Sequence, residues 1–283
     1  MNFNDINTNE LDRDLSPEER AEWNSIYASY RAGSLLSGEI SGIDSFYLDE
    51  KGVSMLAAVV IPYRVKILIP EKQLWDDYES VPKSVTRNLL GAKIDFVIQD
   101  INRLNNICTA SRIAATAIRR REFFRKNPKA GERVKCNILA VGMSKVIVEI
   151  CGFDLQLRWE ELCYTPFLDY RLRYSAGQVL PAIIKKVSNR DNVLKVSVRE
   201  AKPHPYEGLQ KRHPVNSRRT SVITGKYKGS VFCKLEEDYD CLCNISDYHS
   251  DSEFEIGDRV IIVIREYDDI TRRVYGLIMS KWR

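Results

Sequence analysis

The side chains that most often carry catalysis or bind metals are sparse in this sequence. The chain has three histidines, His204, His213 and His249, and none has a recognisable nucleophile–base arrangement around it. Cys241 and Cys243 lie near His249, but structural zinc sites usually present paired Cys-x-x-Cys corners. Strand alternation places both thiols on one face, so core packing is the better interpretation and a metal site is the alternative.

Acidic pairs and phosphate-binding loops give no stronger case for catalysis. The pairs Asp76-Asp77, Glu160-Glu161 and Asp268-Asp269 fall in predicted corners and turns, where solvated carboxylates are ordinary. The sequence contains neither a Gly-x-x-x-x-Gly-Lys-Ser/Thr loop nor a dinucleotide-binding fingerprint. We therefore expect a protein that is not an enzyme and that uses no cofactor, metal or small-molecule substrate.

Composition excludes several broad classes of protein. The 283 residues include 43 Lys and Arg and 39 Asp and Glu, and hydrophobic residues make up 44%. This is the composition of a soluble protein with one large or several small domains. The longest apolar run is far shorter than the roughly 20 residues of a membrane helix, so no membrane partner is expected. The polar N-terminus is not typical of a signal peptide, and seven cysteines without a paired framework favour the cytoplasm.

Charge is distributed unevenly along the chain. Residues 1–32 and 234–258 are acidic, whereas residues 109–135 and 202–228 are basic. Such patches steer partners more strongly than the small net charge of +4 does. The two basic stretches also fall where modules would be connected.

The sequence predicts that most of the chain forms short strands rich in β-branched residues, separated by polar turns, together with two helices. Ser16, Pro17 and Glu19 predict the start of the first helix, and Gly33 predicts its end. A second, basic helix is predicted over 113–126, where an Asn-Pro pair stops it. Strands are predicted, among others, over 55–61, 65–69, 94–98, 134–141, 145–150, 193–198, 260–264 and 273–279.

The strongest pattern is a threefold internal repeat. Gly91, Gly177 and Gly257 each lead into an apolar strand, which a polar turn and one further strand follow. Each repeat also has an opening strand and an apolar third strand that ends at a polar corner. A five-stranded unit with a longer crossing between strands three and four is typical of the OB fold. The expected fold is therefore mainly β, with three tandem five-stranded OB-fold barrels, a short N-terminal helix and a basic inter-domain helix.

The repeats predict six segments. They are an acidic segment and helix at 1–32, the first repeat at 33–112, a basic helical linker at 113–130, the second repeat at 131–201, a basic Pro-rich linker at 202–221 and the third repeat at 222–283. The Pro-rich linker is interpreted either as a flexible basic tether or as an inert spacer.

The corners and closing strands of these repeats resemble one known family. Residues 241–248 (Cys-Leu-Cys-Asn-Ile-Ser-Asp-Tyr) and 255–262 (Glu-Ile-Gly-Asp-Arg-Val-Ile-Ile) are similar to the Gly-Leu-Val-His-Ile-Ser-Glu-Leu corner and the Val-Gly-Asp-Glu-Val strand of the S-one-type RNA-binding domain. That domain is an OB-fold repeat named after a bacterial ribosomal protein. Residues 66–70 resemble the Gly-Phe-Ile-Pro variant of the corner, and residues 109–112 and 195–199 resemble the closing Leu-Ser-Arg. The resemblance covers about 33–112, 131–200 and 222–283.

The resemblance implies that single-stranded RNA binds to one barrel face, where aromatic rings stack on bases and Lys and Arg follow phosphates. Burial in a core is the alternative for each aromatic residue, and a solvated face bridging two barrels is the alternative for the basic helix. The candidate binding residues are Phe46, Tyr63, Arg64, Lys66 and Arg112 in the first repeat; Arg119, Arg120 and Arg121 in the basic helix; Lys145, Arg158, Trp159, Lys195 and Arg199 in the second repeat; and Tyr227, Lys228, Phe232, Lys234 and Tyr275 in the third.

Three functions fit this pattern. The first is a non-catalytic single-stranded RNA-binding protein acting in translation in a bacterium or phage, with single-stranded DNA as a further candidate ligand. The second is a scaffold that docks on a ribosome, polymerase or RNA-processing machinery with little RNA affinity of its own. The third is an accessory to a ribonuclease, which the length disfavours because no nuclease domain fits. The salt dependence of RNA binding and substitution of the aromatic residues separate the first two.

Overall fold

The structure of the chain is a computed structural model, and it describes residues 15–47, 54–61, 65–77, 79, 81, 83–166, 169–227 and 229–282. It divides into two compact units. The N-terminal unit comprises Met1–Arg158 and Leu168–Val198, and the C-terminal unit comprises Trp159–Phe167 and Arg199–Arg283. The 159–167 segment therefore belongs to the C-terminal unit, although it lies in the sequence of the second repeat.

The N-terminal helix forms as its end signals predict. Helix α1 spans Pro17–Ala32, and Ser16 caps it with a reciprocal capping box. The Glu19 backbone N–H donates to the Ser16 hydroxyl at 3.2 Å, and the Ser16 N–H donates to the Glu19 carboxylate at 3.0 Å. Gly33 ends the helix in the left-handed conformation. Trp23 is buried on the helix face that joins the core of the first barrel.

The first repeat is a closed five-stranded barrel. Its strands are β1 (Leu36–Tyr47), β2 (Ser54–Val60), β3 (Lys66–Pro70), β4 (Lys93–Asn102) and β5 (Ile107–Ser111). The order is β1-β2-β3-β5-β4, with β3 parallel to β5 and with β4 paired back to β1. The longer crossing between β3 and β4 holds two short helices, α2 (Glu71–Leu74) and α3 (Lys83–Arg87). This is the closed five-stranded arrangement expected of an OB-like barrel.

The second repeat is a five-stranded sheet that does not close. After helix α4 (Arg112–Arg125), its elements are β6 (Arg133–Val141), β7 (Val146–Ile150), β8 (Phe153–Leu157), helix α5 (Trp159–Leu162), β9 (Val179–Ser188) and β10 (Val193–Ser197). The order is β10-β9-β6-β7-β8, so β8 and β10 lie at opposite edges. The expectation of three five-stranded barrels is therefore confirmed only in part, because this repeat forms a five-stranded sheet. Where the other repeats pair their third and fifth strands, the chain here leaves β8 for α5, which belongs to the C-terminal unit.

Two glycines allow close backbone approach within the N-terminal unit. A Cβ atom on Gly177 would lie 2.2 Å from the carbonyl oxygen of Gly91, and Gly177 has a φ of +78°. A Cβ atom on Gly152 would lie 2.2 Å from the Thr116 carbonyl oxygen on α4. Only glycine tolerates both the positive φ and the short approach at these positions. The turns of the first barrel, α4 and the second sheet therefore pack directly on one another.

The third repeat is again a closed barrel. Its strands are β11 (Arg218–Tyr227), β12 (Ser230–Glu236), β13 (Tyr239–Ile245), β14 (Arg259–Asp268) and β15 (Arg273–Lys281). The order is β11-β12-β13-β15-β14, with β13 parallel to β15. Cys233, Cys241 and Cys243 are fully buried in its core, as the packing interpretation of the thiols predicts. In the described part of the chain, no three His, Cys, Asp or Glu side chains are grouped as metal ligands.

The Pro-rich linker packs against the third barrel. Helix α6 (Leu209–Arg212) buries Leu209 completely in the barrel core. The Tyr267 hydroxyl donates to the His213 carbonyl oxygen at 2.5 Å, and the Arg212 guanidinium donates to Glu236 at 2.7 and 3.1 Å. Strand β11 starts at Arg218, inside the predicted linker. Among the described helices, none has the length and apolar character needed to cross a membrane.

Candidate functional site

Strand alternation gives the third barrel a distinct outer face on β12 and β13. Cys233 and Cys241 pair across the two strands and point into the core, where both are fully buried. The neighbouring pair, Phe232 and Leu242, therefore points outward, and Phe232 remains 36% exposed. Parallel pairing places Tyr275 of β15 directly beside Leu242. The sequence thus builds an outer surface on which the rings of Phe232 and Tyr275 lie on either side of Leu242.

A cleft of about 740 Å³ lies over this face, and all its lining residues belong to the C-terminal unit. Its barrel lining comes from β11, β12, β13 and the start of β15, together with the β12–β13 turn and the β14–β15 loop. OB folds bind oligonucleotides and oligosaccharides with the face of their second and third strands and with nearby loops, among them the loop between the fourth and fifth strands, which here is the β14–β15 loop. The lining from the barrel comprises Thr224, Gly225, Tyr227, Ser230, Phe232, Asp238, Tyr239, Asp240, Leu242, Thr271, Arg272, Arg273 and Val274.

Residues from outside the barrel complete the cleft. Tyr164, Thr165 and Pro166 come from the 159–167 segment, and His204 comes from the linker before α6. The rings of Tyr164 and His204 pack edge to face with their centroids 4.5 Å apart. The guanidinium of Arg199 lies 5.2 Å from the centre of the Tyr164 ring. Tyr164, His204 and Arg199 were not predicted as one cluster, since their grouping depends on contacts between segments far apart in the sequence.

Burial shifts the pKa values of two ionisable groups in the cleft, His204 and Asp240. Desolvation, aided by the charges of Arg272 and Arg199, lowers the pKa of His204. Its Nδ1 accepts the Tyr206 backbone N–H at 3.1 Å, so the neutral ring carries its proton on Nε2. Burial raises the pKa of Asp240, against the opposing effects of a Thr224 hydrogen bond and the charge of Lys234. The cleft therefore combines aromatic surface, an N–H donor and a carboxylate acceptor.

Four of the residues predicted in the third repeat lie on or beside this outer face. Tyr227 and Phe232 line the cleft, with Tyr227 64% exposed. Lys234 is exposed two residues after Phe232 on β12, and Tyr275 is half-buried on β15. Lys228 lies outside the described residues.

The predicted residues of the second repeat do not form one group. Lys145 is exposed before β7, Lys195 is exposed on β10, and Arg158 is exposed after β8. Trp159 starts α5 and is half-buried, and like Arg199 it belongs to the C-terminal unit. Arg199 contributes to the cleft through Tyr164, whereas Trp159 is absent from the cleft lining.

Lys195 instead belongs to a basic strip on the second sheet, a surface that the sequence reasoning missed. Lys195 lies directly opposite Lys186 on β9 in the strand register. Like charges in directly opposed positions destabilise a sheet, so an anionic partner would relieve their repulsion. The alternation of Arg133 and Lys135 with apolar residues on β6, together with the consecutive lysines on β9, is the sequence signal that could have found it. The strip consists of Arg133, Lys135, Lys185, Lys186 and Lys195, all exposed.

The arginines of α4 are mostly engaged within the N-terminal unit. Arg112 is buried with only 3% of its side chain exposed and is paired with Asp154, so it offers little surface to RNA. Arg119 pairs with Asp95 at 2.6 Å, and Arg120 pairs with Asp76. Arg121 remains exposed. Carboxylates of the same chain already neutralise Arg112, Arg119 and Arg120. A helix that bridges two repeats therefore describes α4 better than a free phosphate-binding face.

The candidates of the first repeat contribute little to a described site. Lys66 forms an exposed ion pair with Asp44 at 2.6 Å. Phe46 lies on β1 opposite Met55 in the register. Tyr63 and Arg64 lie outside the described residues.

Comparison with known proteins gives only distant likenesses, and no family model matches the chain. An a/eIF2alpha–aDim2p–rRNA complex from Pyrococcus horikoshii OT3 is 17% identical over 30% of this chain and 52% of that chain, with a TM-score of 0.24. This chain therefore spans about half of that matched chain. A multidomain protein with nucleic acid binding domains from Streptococcus pneumoniae TIGR4 is 11% identical over 87% of this chain and 73% of that one, with a TM-score of 0.21. Drosophila Unr CSD456 is 10% identical over 87% of this chain and 97% of that one, with a TM-score of 0.18. Likenesses this distant assign no family, so the functional argument rests on the geometry of the cleft and the basic strip.

Proposed function

We propose that this is a non-catalytic single-stranded RNA-binding protein built from S-one-type OB repeats. The observation that carries the proposal is the cleft on the outer face of β12 and β13, with Phe232 and Tyr227 exposed in it. The cleft occupies the surface that OB folds use for oligonucleotides. We extend the proposal to a cytoplasmic protein whose ligand is ribosomal or messenger RNA.

Stacking on exposed aromatic rings supplies the part of the affinity that does not depend on salt. Phe232 projects from a strand whose inward neighbours fill the barrel core, so its ring is held in place and still faces solvent. A base stacked on such a ring contributes about 1–3 kcal/mol, and duplex RNA cannot offer an unstacked base. The cleft therefore favours single strands.

Contacts with phosphate groups supply the salt-dependent part. The basic strip presents five cations on a sheet surface, and the facing pair Lys186 and Lys195 gains most from an anionic partner. Release of counterions from RNA then adds affinity that falls as salt rises. Because the strip and the cleft lie on two tethered units, binding at one raises the effective concentration at the other.

The test is fluorescence anisotropy with a labelled RNA of about 12 nucleotides, the size range of OB-fold sites, as a single strand and as a duplex. Each is titrated at about 50 mM and about 200 mM salt. We expect the single strand to bind more tightly and to keep part of its affinity at the higher salt. Binding that is equal for both forms, or that vanishes at the higher salt, would contradict the proposal and favour the scaffold function. Single-stranded DNA of the same sequence shows whether the 2′-hydroxyl contributes.

A further inference from the structure

The cleft of the third barrel has a wall that the barrel does not supply. Tyr164 and His204 come from two different segments outside the barrel strands, yet their rings pack 4.5 Å apart and line the cleft together with Phe232. Two sets of aromatic surface in one cleft suit a flat ligand that can stack against them. At about 740 Å³, the cleft is large enough for one nucleotide.

A carboxylate faces the same cleft. Asp240 lies on the outer side of β13, where it follows the buried Tyr239 and lies opposite Lys234 in the register. It accepts the Thr224 hydroxyl at 2.9 Å through Oδ2. An ionised carboxylate has about four lone-pair positions, so this bond leaves both oxygens able to accept further donors. Thr224 thus orients the Asp240 carboxylate and leaves it able to accept hydrogen bonds from a ligand.

The edges of the four bases differ in what they offer such a carboxylate. Guanine presents two adjacent donors, the N1–H and the 2-amino group, which match two carboxylate oxygens. Adenine and cytosine place a ring-nitrogen acceptor beside their amino group, and uracil flanks a single N–H with two carbonyls. A carboxylate therefore makes a two-point contact with guanine alone, and the misplaced acceptors of the other bases repel it.

We propose that this cleft is a guanine-selective subsite, in which the base stacks against Phe232 and the Tyr164–His204 wall and donates to Asp240. Arg272 in the β14–β15 loop and Arg273 at the start of β15, which are both exposed and line the cleft, contact the adjoining phosphates. This inference rests on the proposed RNA-binding function and adds to it a base preference and residues outside the barrel.

The experiment compares RNAs of about 12 uridines in which one central position is uridine, guanosine, inosine or adenosine. Inosine keeps the N1–H of guanosine but lacks its 2-amino group. We expect the guanosine RNA to bind about tenfold more tightly than the all-uridine RNA, with inosine between them, since a bidentate base contact discriminates by roughly this amount. The adenosine RNA controls for the stronger stacking of a purine.

Two variants test whether Asp240 causes the guanosine preference. Asp240→Asn keeps the shape and can still accept from Thr224, so it should abolish the guanosine preference. Asp247→Asn, an exposed acid outside the cleft lining, should preserve the preference. Thermal unfolding of both variants verifies that each remains folded.

Each outcome bears on a different part of the argument. Equal affinity for all four RNAs overturns the guanine subsite and leaves the RNA-binding proposal standing. A guanosine preference that survives Asp240→Asn overturns the role of the carboxylate. If none of the RNAs binds, the proposed function and the subsite fall together.

Discussion

Arg112 and Asp154 form a two-point ion pair between a buried guanidinium on the first residue of α4 and a partly exposed carboxylate on β8 of the second sheet. Arg112 Nη1 donates to Asp154 Oδ2 at 2.8 Å, and Nη2 donates to Oδ1 at 2.5 Å. The same guanidinium donates to the Leu74 carbonyl oxygen at 3.0 Å and lies 5.3 Å from the Trp75 ring centre. One side chain thus connects the first barrel, the linking helix and the second sheet. A residue that the family resemblance assigns to RNA binding here stabilises the contact between two repeats.

Replacing Arg112 should destabilise the N-terminal unit. Arg112→Met removes a buried guanidinium and leaves the Leu74 carbonyl oxygen and the Asp154 carboxylate, which is 28% exposed, without their donor, so we expect a loss of about 1–3 kcal/mol in the free energy of unfolding. Urea denaturation measures the change. Arg121→Met, on the exposed face of the same helix, should change stability by less than about 0.5 kcal/mol. Equal effects of the two substitutions would contradict the structural role of Arg112.

The close approach of Gly177 to Gly91 predicts a second stability effect. Gly177→Ala adds a Cβ where the Gly91 carbonyl oxygen leaves no room, so we expect a loss of more than about 1 kcal/mol beyond the cost of the positive φ. Gly131→Ala is the matched control, since Gly131 has a φ of +92° and nothing within 4 Å of a Cβ atom. The difference between the two unfolding free energies isolates the packing contact. A difference near zero would show that the two turns separate readily.

Removal of the Phe232 ring should weaken RNA binding without unfolding the barrel. We expect Phe232→Ala to cost about 1–3 kcal/mol of binding free energy at the higher salt, because stacking is the contribution that salt leaves intact. Tyr248→Ala is the control, since Tyr248 is 93% exposed on the same barrel and does not line the cleft. Anisotropy titrations of the two variants compare these effects directly. If they lose affinity equally, the cleft is not the stacking surface.

The opposed lysines of the basic strip predict changes of opposite sign in stability and in binding. Lys195→Glu replaces a repulsive cross-strand pair with an attractive one, so the N-terminal unit should gain about 0.2–1 kcal/mol of stability. The same substitution should weaken single-stranded RNA binding for all sequences alike and reduce its dependence on salt. Urea denaturation and anisotropy at two salt concentrations measure the two effects. Tighter RNA binding by Lys195→Glu would refute the phosphate-contact role.

Docking of the linker on the third barrel should depend on pH. The hydrogen bond from Arg212, followed by one from His213, lowers the pKa of Glu236 below its usual 4.5. A carboxyl group with a lowered pKa in the folded state stabilises the fold above its unfolded pKa, and this stabilisation is lost as the pH falls through the lower folded value. We therefore expect Glu236→Gln to lower the Tm at about pH 7 and to differ less from the wild type as the pH falls below about 4. A pH-independent difference in Tm would contradict this linkage.

Local signals made much of the fold predictable. The capping box at Ser16 and the positive-φ Gly33 place both ends of α1, because such ends depend on neighbouring residues alone. Alternating β-branched runs place most strands to within a few residues; the strand predicted over 134–141 is found at Arg133–Val141. The closed barrels of the first and third repeats follow from the same spacing of strands and corners.

The remaining features depend on contacts between residues far apart in the sequence. Whether a sheet closes depends on where its third strand meets its fifth, and the residues of β8 do not encode that meeting by themselves. The charge run of α4 looks the same to sequence analysis whether it faces solvent or Asp76, Asp95 and Asp154. The pairing of Tyr164 with His204 likewise joins two segments that no motif connects. Sequence reasoning could therefore find barrel residues of the cleft such as Phe232, but it could not find Tyr164 and His204, which lie outside the barrel.

Because the 159–167 segment belongs to the C-terminal unit, the boundaries of the sequence repeats do not coincide with the boundaries of the cleft. Counted by internal similarity, Tyr164 belongs to the second repeat, yet its ring lines a cleft on the third. An excised third barrel would therefore carry an incomplete recognition surface, even if it folded. Replacement of the third repeat alone would likewise separate Phe232 from Tyr164 and divide this surface between two proteins.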